Sequence, residues 1–137
     1  MNTSSPAITL STLDVERLER LLETPEMAAL PMATALQEEI GRATLLTPQK
    51  IPANVVTMNS VVHCRDEATG SEHHFTLVYP RDADTTTGKV SVLAPAGAAL
   101  LGLHSGECID WPAPGGLLRL RVMDIPYQPE RAGDFHR

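Results

Sequence analysis

The repeat of the apolar residues changes from about 3.6 to two at Pro48–Pro52, and that switch divides the chain into a helical front and a sheet-forming remainder. Pro48 and Pro52 each lack an N–H and restrict the residue before them, so residues 48–54 read as a linker that no helix crosses. Upstream, Ser11 and Thr12 suit an N-cap, and Asp14 and Glu16 place carboxylates in the first turn. Val15, Leu18, Leu21 and Leu22 then share one helical face until Pro25 stops the helix. Leu30-Pro31 opens a second segment with the stripe Met32, Leu36, Ile40 and Ala43, and Gln37, Glu38 and Arg42 fall off it. Two segments of about twelve residues joined by a short loop predict an antiparallel helical hairpin, roughly 18–20 Å long. It forms a short coiled coil within residues 1–47, with its helices between Ser11 and Leu46.

Residues 55–137 predict a second, sheet-rich domain, which makes the fold class α+β. Val55–Met58 and Ser60–Arg65 read as strands, Asp66–Gly70 as a turn, and Phe75, Leu77 and Tyr79 as the inward face of the next strand. Val90 and Val92 alternate with Lys89 and Ser91, as a half-buried strand requires, and the chain then runs directly into a compact apolar helix. Pro95 suits the first turn of that helix, and Gly102 the position just past its end. Ile109 and Trp111 face inward on the following strand, and Pro112–Gly116 makes the last hairpin. Leu118, Leu120 and Val122 close the core and turn Arg119 and Arg121 outward. The tail after Tyr127, with Pro129, Gly133 and alternating charges, is expected to be loose.

Composition narrows function. A net charge of −6 over 137 residues argues against a surface that grips a phosphate backbone, so no direct sequence-specific nucleic-acid partner is expected. Cys64 and Cys108 form no C-x-x-C, which signals neither a disulfide framework nor a zinc module. Met1–Pro6 has no basic region followed by an apolar core, and no apolar run approaches the roughly 18 residues of a membrane span. The expected location is the cytoplasm.

His63, His73, His74 and His104, with Cys64 and Cys108, include every ligand type of a zinc site, but their spacing matches none. Adjacent His73 and His74 point to opposite faces of a strand. No cofactor is expected, and a metal protein is kept as an alternative. Cys64 reads as a small core residue, because nothing near it in sequence lowers a thiol pKa. Asp82 and Asp84 beside Thr85–Gly88 lack the acidic ladder of a calcium loop and read as an exposed turn. Gly97, Gly102 and Gly106 belong to no phosphate loop and read as turns and caps.

The ordered set of a strand, Ala94-Pro95, Ala99-Leu100-Leu101-Gly102, Ser105-Gly106-Glu107, a Pro-Gly-Gly turn and a final strand ending in Tyr127 resembles the C-terminal domain of the Gre transcript-cleavage factors. Those bacterial proteins enter the secondary channel of RNA polymerase. Val55–Ser60, Leu77–Pro80, Ala94–Leu103 and Tyr127–Glu130 resemble more closely a family of Gre relatives, the regulators of nucleoside diphosphate kinase. The resemblance implies an FKBP-like domain from about Val55 to Tyr127 that binds polymerase through Ala94, Pro95, Ala96 and Gly97, next to Leu101. Arg119 and Arg121 would meet acidic residues at the rim. It implies no catalysis and a role in setting nucleoside diphosphate kinase levels, through transcription or by direct contact with the kinase. The cleavage factors carry acids at the tip of a long coiled coil; here the tip acids are Glu23 and Glu26, on an arm too short to reach the polymerase centre. A prolyl-isomerase reading of the FKBP-like fold lacks aromatics for its pocket, since Phe75, Tyr79 and Trp111 are assigned to the core.

Overall fold

The computed structural model describes residues 8–113 and 116–134, without the side chains at positions 85, 95, 96 and 111–118. Ser11 opens the first helix, α1 (Thr12–Leu22), by accepting the Asp14 N–H on its hydroxyl at 2.9 Å. α1 buries Val15, Leu18 and Leu22. A single turn, α2 (Pro25–Ala28), starts at a proline and leads to α3 (Met32–Arg42), which buries Ala33, Leu36 and Ile40. Met32, expected on the buried stripe, is only half-buried.

The helical segment expected to run to Leu46 stops earlier. Ala43 leaves the helix with ψ 151°, the Thr44 N–H donates to the Ile8 carbonyl at 3.0 Å, and a strand forms instead. This strand, β2 (Thr44–Leu46), lies parallel to β1 (Thr9–Ser11) in the register Thr9–Thr44. Residues 48–50 form a 3₁₀ turn, and Ile51 is buried.

A second sheet carries the rest. Its strands are β3 (Val61–Asp66), β4 (Glu72–Val78), β5 (Lys89–Ser91), β6 (Cys108–Ala113) and β7 (Gly116–Tyr127), in the order β5-β4-β3-β7-β6. β3 alternates half-buried and buried residues, which puts Val62 and Cys64 inside. The Asp66–Gly70 turn joins β3 to β4 as expected, with the Gly70 N–H on the Asp66 carbonyl at 2.8 Å. The sheet is not wholly antiparallel. Two 3₁₀ turns, Pro80–Asp82 and Thr85–Thr87, carry the chain back along the edge, so β5 pairs parallel to β4. A helix, α4 (Pro95–Leu100), follows β5 and packs between it and β6. The expected Pro112–Gly116 hairpin joins antiparallel β6 and β7, and its residues 114–115 lie outside the described residues.

Two further expectations are corrected. Val55–Met58 is not a strand: all four residues are buried, and only Val55 makes an isolated bridge, to His104. Their backbone groups find partners off the ladder. The Val56 N–H donates to Leu103 at 2.8 Å, the Val56 carbonyl accepts from Gly102 at 2.8 Å, and the Met58 N–H donates to the Asp14 carboxylate at 3.1 Å. The described part of the tail, residues 128–134, is folded onto the domain. Gln128 is fully buried, and its side chain caps α5 (Pro129–Ala132) by accepting the Arg131 N–H. Its Nε2 also donates to the carbonyls of Pro52 at 2.8 Å and Val55 at 2.7 Å, tying the chain end to the stretch between helices and sheet.

One apolar cluster runs through the molecule. Leu18, Leu36 and Ile40 of the helices share it with Met58, Leu77 and Leu100. Burial of this kind contributes on the order of 25 cal/mol per Å² of apolar surface, so the helices draw their stability from the sheet they cover.

Candidate functional site

The corner between β5 and α4 is built from backbone contacts rather than side-chain bonds. Ser91 accepts twice: its hydroxyl takes the Leu93 N–H at 3.0 Å, and its carbonyl takes the Ala94 N–H at 3.0 Å. Ala94 then sits in the extended N-cap conformation (φ −81°, ψ 152°) with no side chain able to cap. Gly97 lies so near that a Cβ there would stand 1.9 Å from the Ser91 carbonyl oxygen, so only glycine lets α4 rest on the strand end. Leu100 and Leu101 point into the core at 0% and 1% exposure. The candidate contact residues therefore differ in access. Ala94 is half-buried, Gly97 and Leu101 are buried, and the side chains of Pro95 and Ala96 lie outside the described residues.

Past the corner, α4 forms a groove with α3 and β6, lined by Ala35, Glu39, Ala98, Ala99, Cys108 and Arg119 among others. Arg119 thus borders α4, and its Nη1 lies 3.5 Å from the Asp110 carboxylate. Arg121 is committed to another edge. It donates to Glu67 Oε1 at 3.1 and 3.3 Å and to the Gly106 carbonyl at 2.6 Å. Glu23, at the C-terminal cap of α1, and Glu26, in the first turn of α2, are both exposed. Eleven residues at about 1.5 Å each make α1 roughly 16 Å long.

The histidines are arranged as an ion pair rather than a ligand set. His63 Nε2 lies 2.8 Å from Glu72 and Nδ1 3.0 Å from Asp124, while its ring stacks on His74 at 4.6 Å. The Glu72 hydrogen bond, aided by Asp124, raises the His63 imidazole above its ordinary pKa. Burial pushes the Cys64 thiol up to about 11, which leaves it unreactive at neutral pH. Among the described residues no three His, Cys, Asp or Glu side chains gather to hold a metal ion. Among them, too, no helix is long and apolar enough to cross a membrane.

Sequence reasoning missed one buried acid. Asp14 read as an ordinary first-turn carboxylate but is 3% exposed, and burial pushes it up to about 7 against the opposing pull of the Met58 N–H. Its position beside Val15 and four residues before Leu18 was the available signal, since that spacing puts it on the buried stripe.

Residues 51–127, which span the five-stranded sheet and α4, match the family model of the transcription elongation factor GreA/GreB C-terminal region. Residues 6–46 match the model of the Rnk N-terminus. The fold and its corner thus define a protein of the Gre class. A regulator of nucleoside diphosphate kinase from Escherichia coli (strain K12) is 47% identical over 133 residues, which cover 96% of this chain and 98% of that protein. The chain belongs to this family of regulators of nucleoside diphosphate kinase, whose second part is a Gre-type C-terminal domain. Transcription elongation factor GreA from Thermodesulfovibrio yellowstonii is 34% identical over 68% of this chain, but the match spans only 59% of that protein. The solved structure of a prokaryotic transcription elongation factor GreA/GreB from Nitrosomonas europaea superposes with a TM-score of 0.79 at 49% identity, covering 90% of this chain and all of that one. The GreA factor homolog Gfh1 of Thermus thermophilus gives a TM-score of 0.52 at 25% identity over 89% of this chain.

Proposed function

We propose that the chain is a non-enzymatic regulator that docks on bacterial RNA polymerase near the secondary-channel entrance. An FKBP-like domain makes the contact, and an antiparallel helical hairpin stands in front of it. The observation that carries this reading is the strand-to-helix corner. It lies inside the Gre-type match over residues 51–127, and Gly97 there packs against Ser91 at a distance no side chain tolerates. The proposed contact residues are Ala94, Pro95, Ala96 and Gly97; of these Ala94 is half-buried, and buried Gly97 and Leu101 fix the backbone shape of the corner. Arg119, which borders α4, supplies a cation at the rim, where charges set encounter rate and register more than affinity, whereas Arg121 is held by Glu67 and the Gly106 carbonyl. The partner is polymerase protein rather than its nucleic acid, in keeping with the net charge of −6. A pull-down tests this directly. Pro95→Asp is expected to lose polymerase while the melting temperature stays within a few degrees, and binding that survives intact refutes the contact.

Docking at that entrance makes the protein a competitor of other channel-entering factors, because ligands that exclude one another lower each other's apparent affinity by mass action. The effect on nucleoside diphosphate kinase then runs through transcription. The named activity of the 47%-identical relative supports a second reading, direct contact with the kinase. Titration into a polymerase–cleavage-factor complex separates the two. Displacement of the factor, with no change in purified kinase activity, supports the transcriptional route. Altered kinase activity with the factor still bound supports the direct one.

A further inference from the structure

Arg17 and Arg20 on α1 and Arg81 on the Pro80–Asp82 turn line one cavity of about 840 Å³. Its walls also include Leu21, Met27 and Pro80, which are apolar. The concentration of charge is out of keeping with the rest of the chain. The whole protein carries −6, yet the residues lining this cavity include three cations and one acid, Asp82. The existing pairings of two of these cations are weak. Arg20 lies 3.8 Å from Glu16 and Arg81 3.9 Å from Asp82, and all four side chains are more than half exposed. Surface pairs of that kind contribute little and yield to a more highly charged anion.

A second observation marks the same wall. Asn59 lines the cavity with φ +69°, the only positive φ at a non-glycine among the described residues, and its N–H is fixed on the Leu77 carbonyl at 2.6 Å. Backbone strain of this sort concentrates at ligand sites. The cavity's volume falls within the roughly 300–1,000 Å³ typical of small-molecule sites.

We infer that this cavity binds an organic phosphate, with a di- or polyphosphate group among the three guanidiniums and an uncharged moiety against Leu21, Met27 and Pro80. Guanidinium forks match phosphate oxygens bidentately, and a diphosphate carries more charge than either carboxylate now beside the exposed cations, Glu16 at Arg20 and Asp82 at Arg81. None of the lining residues belongs to the strand-to-helix corner, so binding is measured without polymerase.

Calorimetric titration of the full-length chain at low ionic strength tests the inference, with ADP, inorganic pyrophosphate and adenosine as probes. ADP is expected to saturate one site, pyrophosphate to bind about tenfold more weakly, and adenosine to give no heat. A double variant, Arg20→Gln with Arg81→Gln, is expected to lower ADP affinity about tenfold or more with an unchanged melting temperature, since both side chains are exposed. Arg42→Gln, outside the cavity, is expected to leave it unchanged. Absence of saturable ADP binding at millimolar concentration overturns the site. So does undiminished affinity in the double variant. Equal affinity for ADP and pyrophosphate, or for ADP and adenosine, overturns the division of the cavity into phosphate and apolar halves. Polymerase is absent from every arm, so failure here leaves the docking reading untouched.

Discussion

Asp14 is an acid set in an apolar seam, and it makes the fold sensitive to pH. The folded protein holds its carboxyl at about 7, against 3.8 for an unburied aspartate. Between those values the folded chain keeps a proton that the unfolded chain has released. The stability contributed by this group is therefore complete below about pH 4 and is lost as pH rises through 7. Asp14→Asn retains an acceptor for the Met58 N–H and removes the titration. Its melting temperature is expected to exceed that of the parent at pH 8, by the equivalent of order 1–4 kcal/mol, with the gap narrowing as pH falls toward 4. Thermal denaturation across that range checks it, and a constant gap would refute it. His63 offers a contrasting case. Its raised pKa rests first on the Glu72 hydrogen bond, so Glu72→Gln is expected to lower it more than Asp124→Asn does. Stability linked to His63 is full below its ordinary pKa and fades as pH rises through the raised one. An NMR pH titration of the ring protons reads both variants.

At the scale of elements, two glycines decide how pieces of backbone meet. Gly97→Ala drives a Cβ to within 1.9 Å of the Ser91 carbonyl, and Gly102→Ala sets one 2.6 Å from Ile8 Cβ at φ +81°. Each is expected to cost about 2 kcal/mol or more, measured by urea denaturation, because helix and strand must separate to admit it. Ser11→Ala should cost only about 1 kcal/mol, the value of one N-cap. These elements were legible in the sequence to different degrees. α1, α3 and the β5–α4 corner were readable because Leu18, Leu36, Pro95 and Gly102 act through local spacing and local backbone preference. β1 and β2 were not, since three-residue strands such as Thr9–Ser11 and Thr44–Leu46 pair across a long stretch of chain and show no alternation. Val55–Met58 has strand composition, yet its partners are Asp14, Gly102 and Leu103, which only the tertiary fold brings near. The candidate contact residues carry no chemistry of their own. Ala94 and Gly97 gained meaning only from the family resemblance, while the arginine-lined cavity joins residues too far apart in sequence to be read together.

For the whole molecule, the shared core predicts one cooperative transition. Leu18 and Leu36 of the helices pack in the same cluster as Leu77 and Leu100, so unfolding curves read by far-UV circular dichroism and by near-UV signals should coincide. Separate midpoints would mean that helices and sheet melt apart. The same packing limits reach. Glu23 and Glu26 stand at the end of an α1 roughly 16 Å long, and no shortening of RNA is expected when the protein is added to backtracked polymerase complexes. Polymerase-dependent transcript shortening by this protein would overturn that expectation.

Gln128 gives this architecture a further property. With its amide on the carbonyls of Pro52 and Val55 and its oxygen on α5, the stretch between helices and sheet is anchored and does not act as a free joint. The α1–α2 tip and the β5–α4 corner are therefore held at one separation and one angle, set when the chain folds. A partner that engages either surface meets the other at a fixed offset, at an effective concentration that a flexible tether would dilute. For a partner that touches both surfaces, this fixed offset, and not the length of a tether, decides whether the two contacts form together.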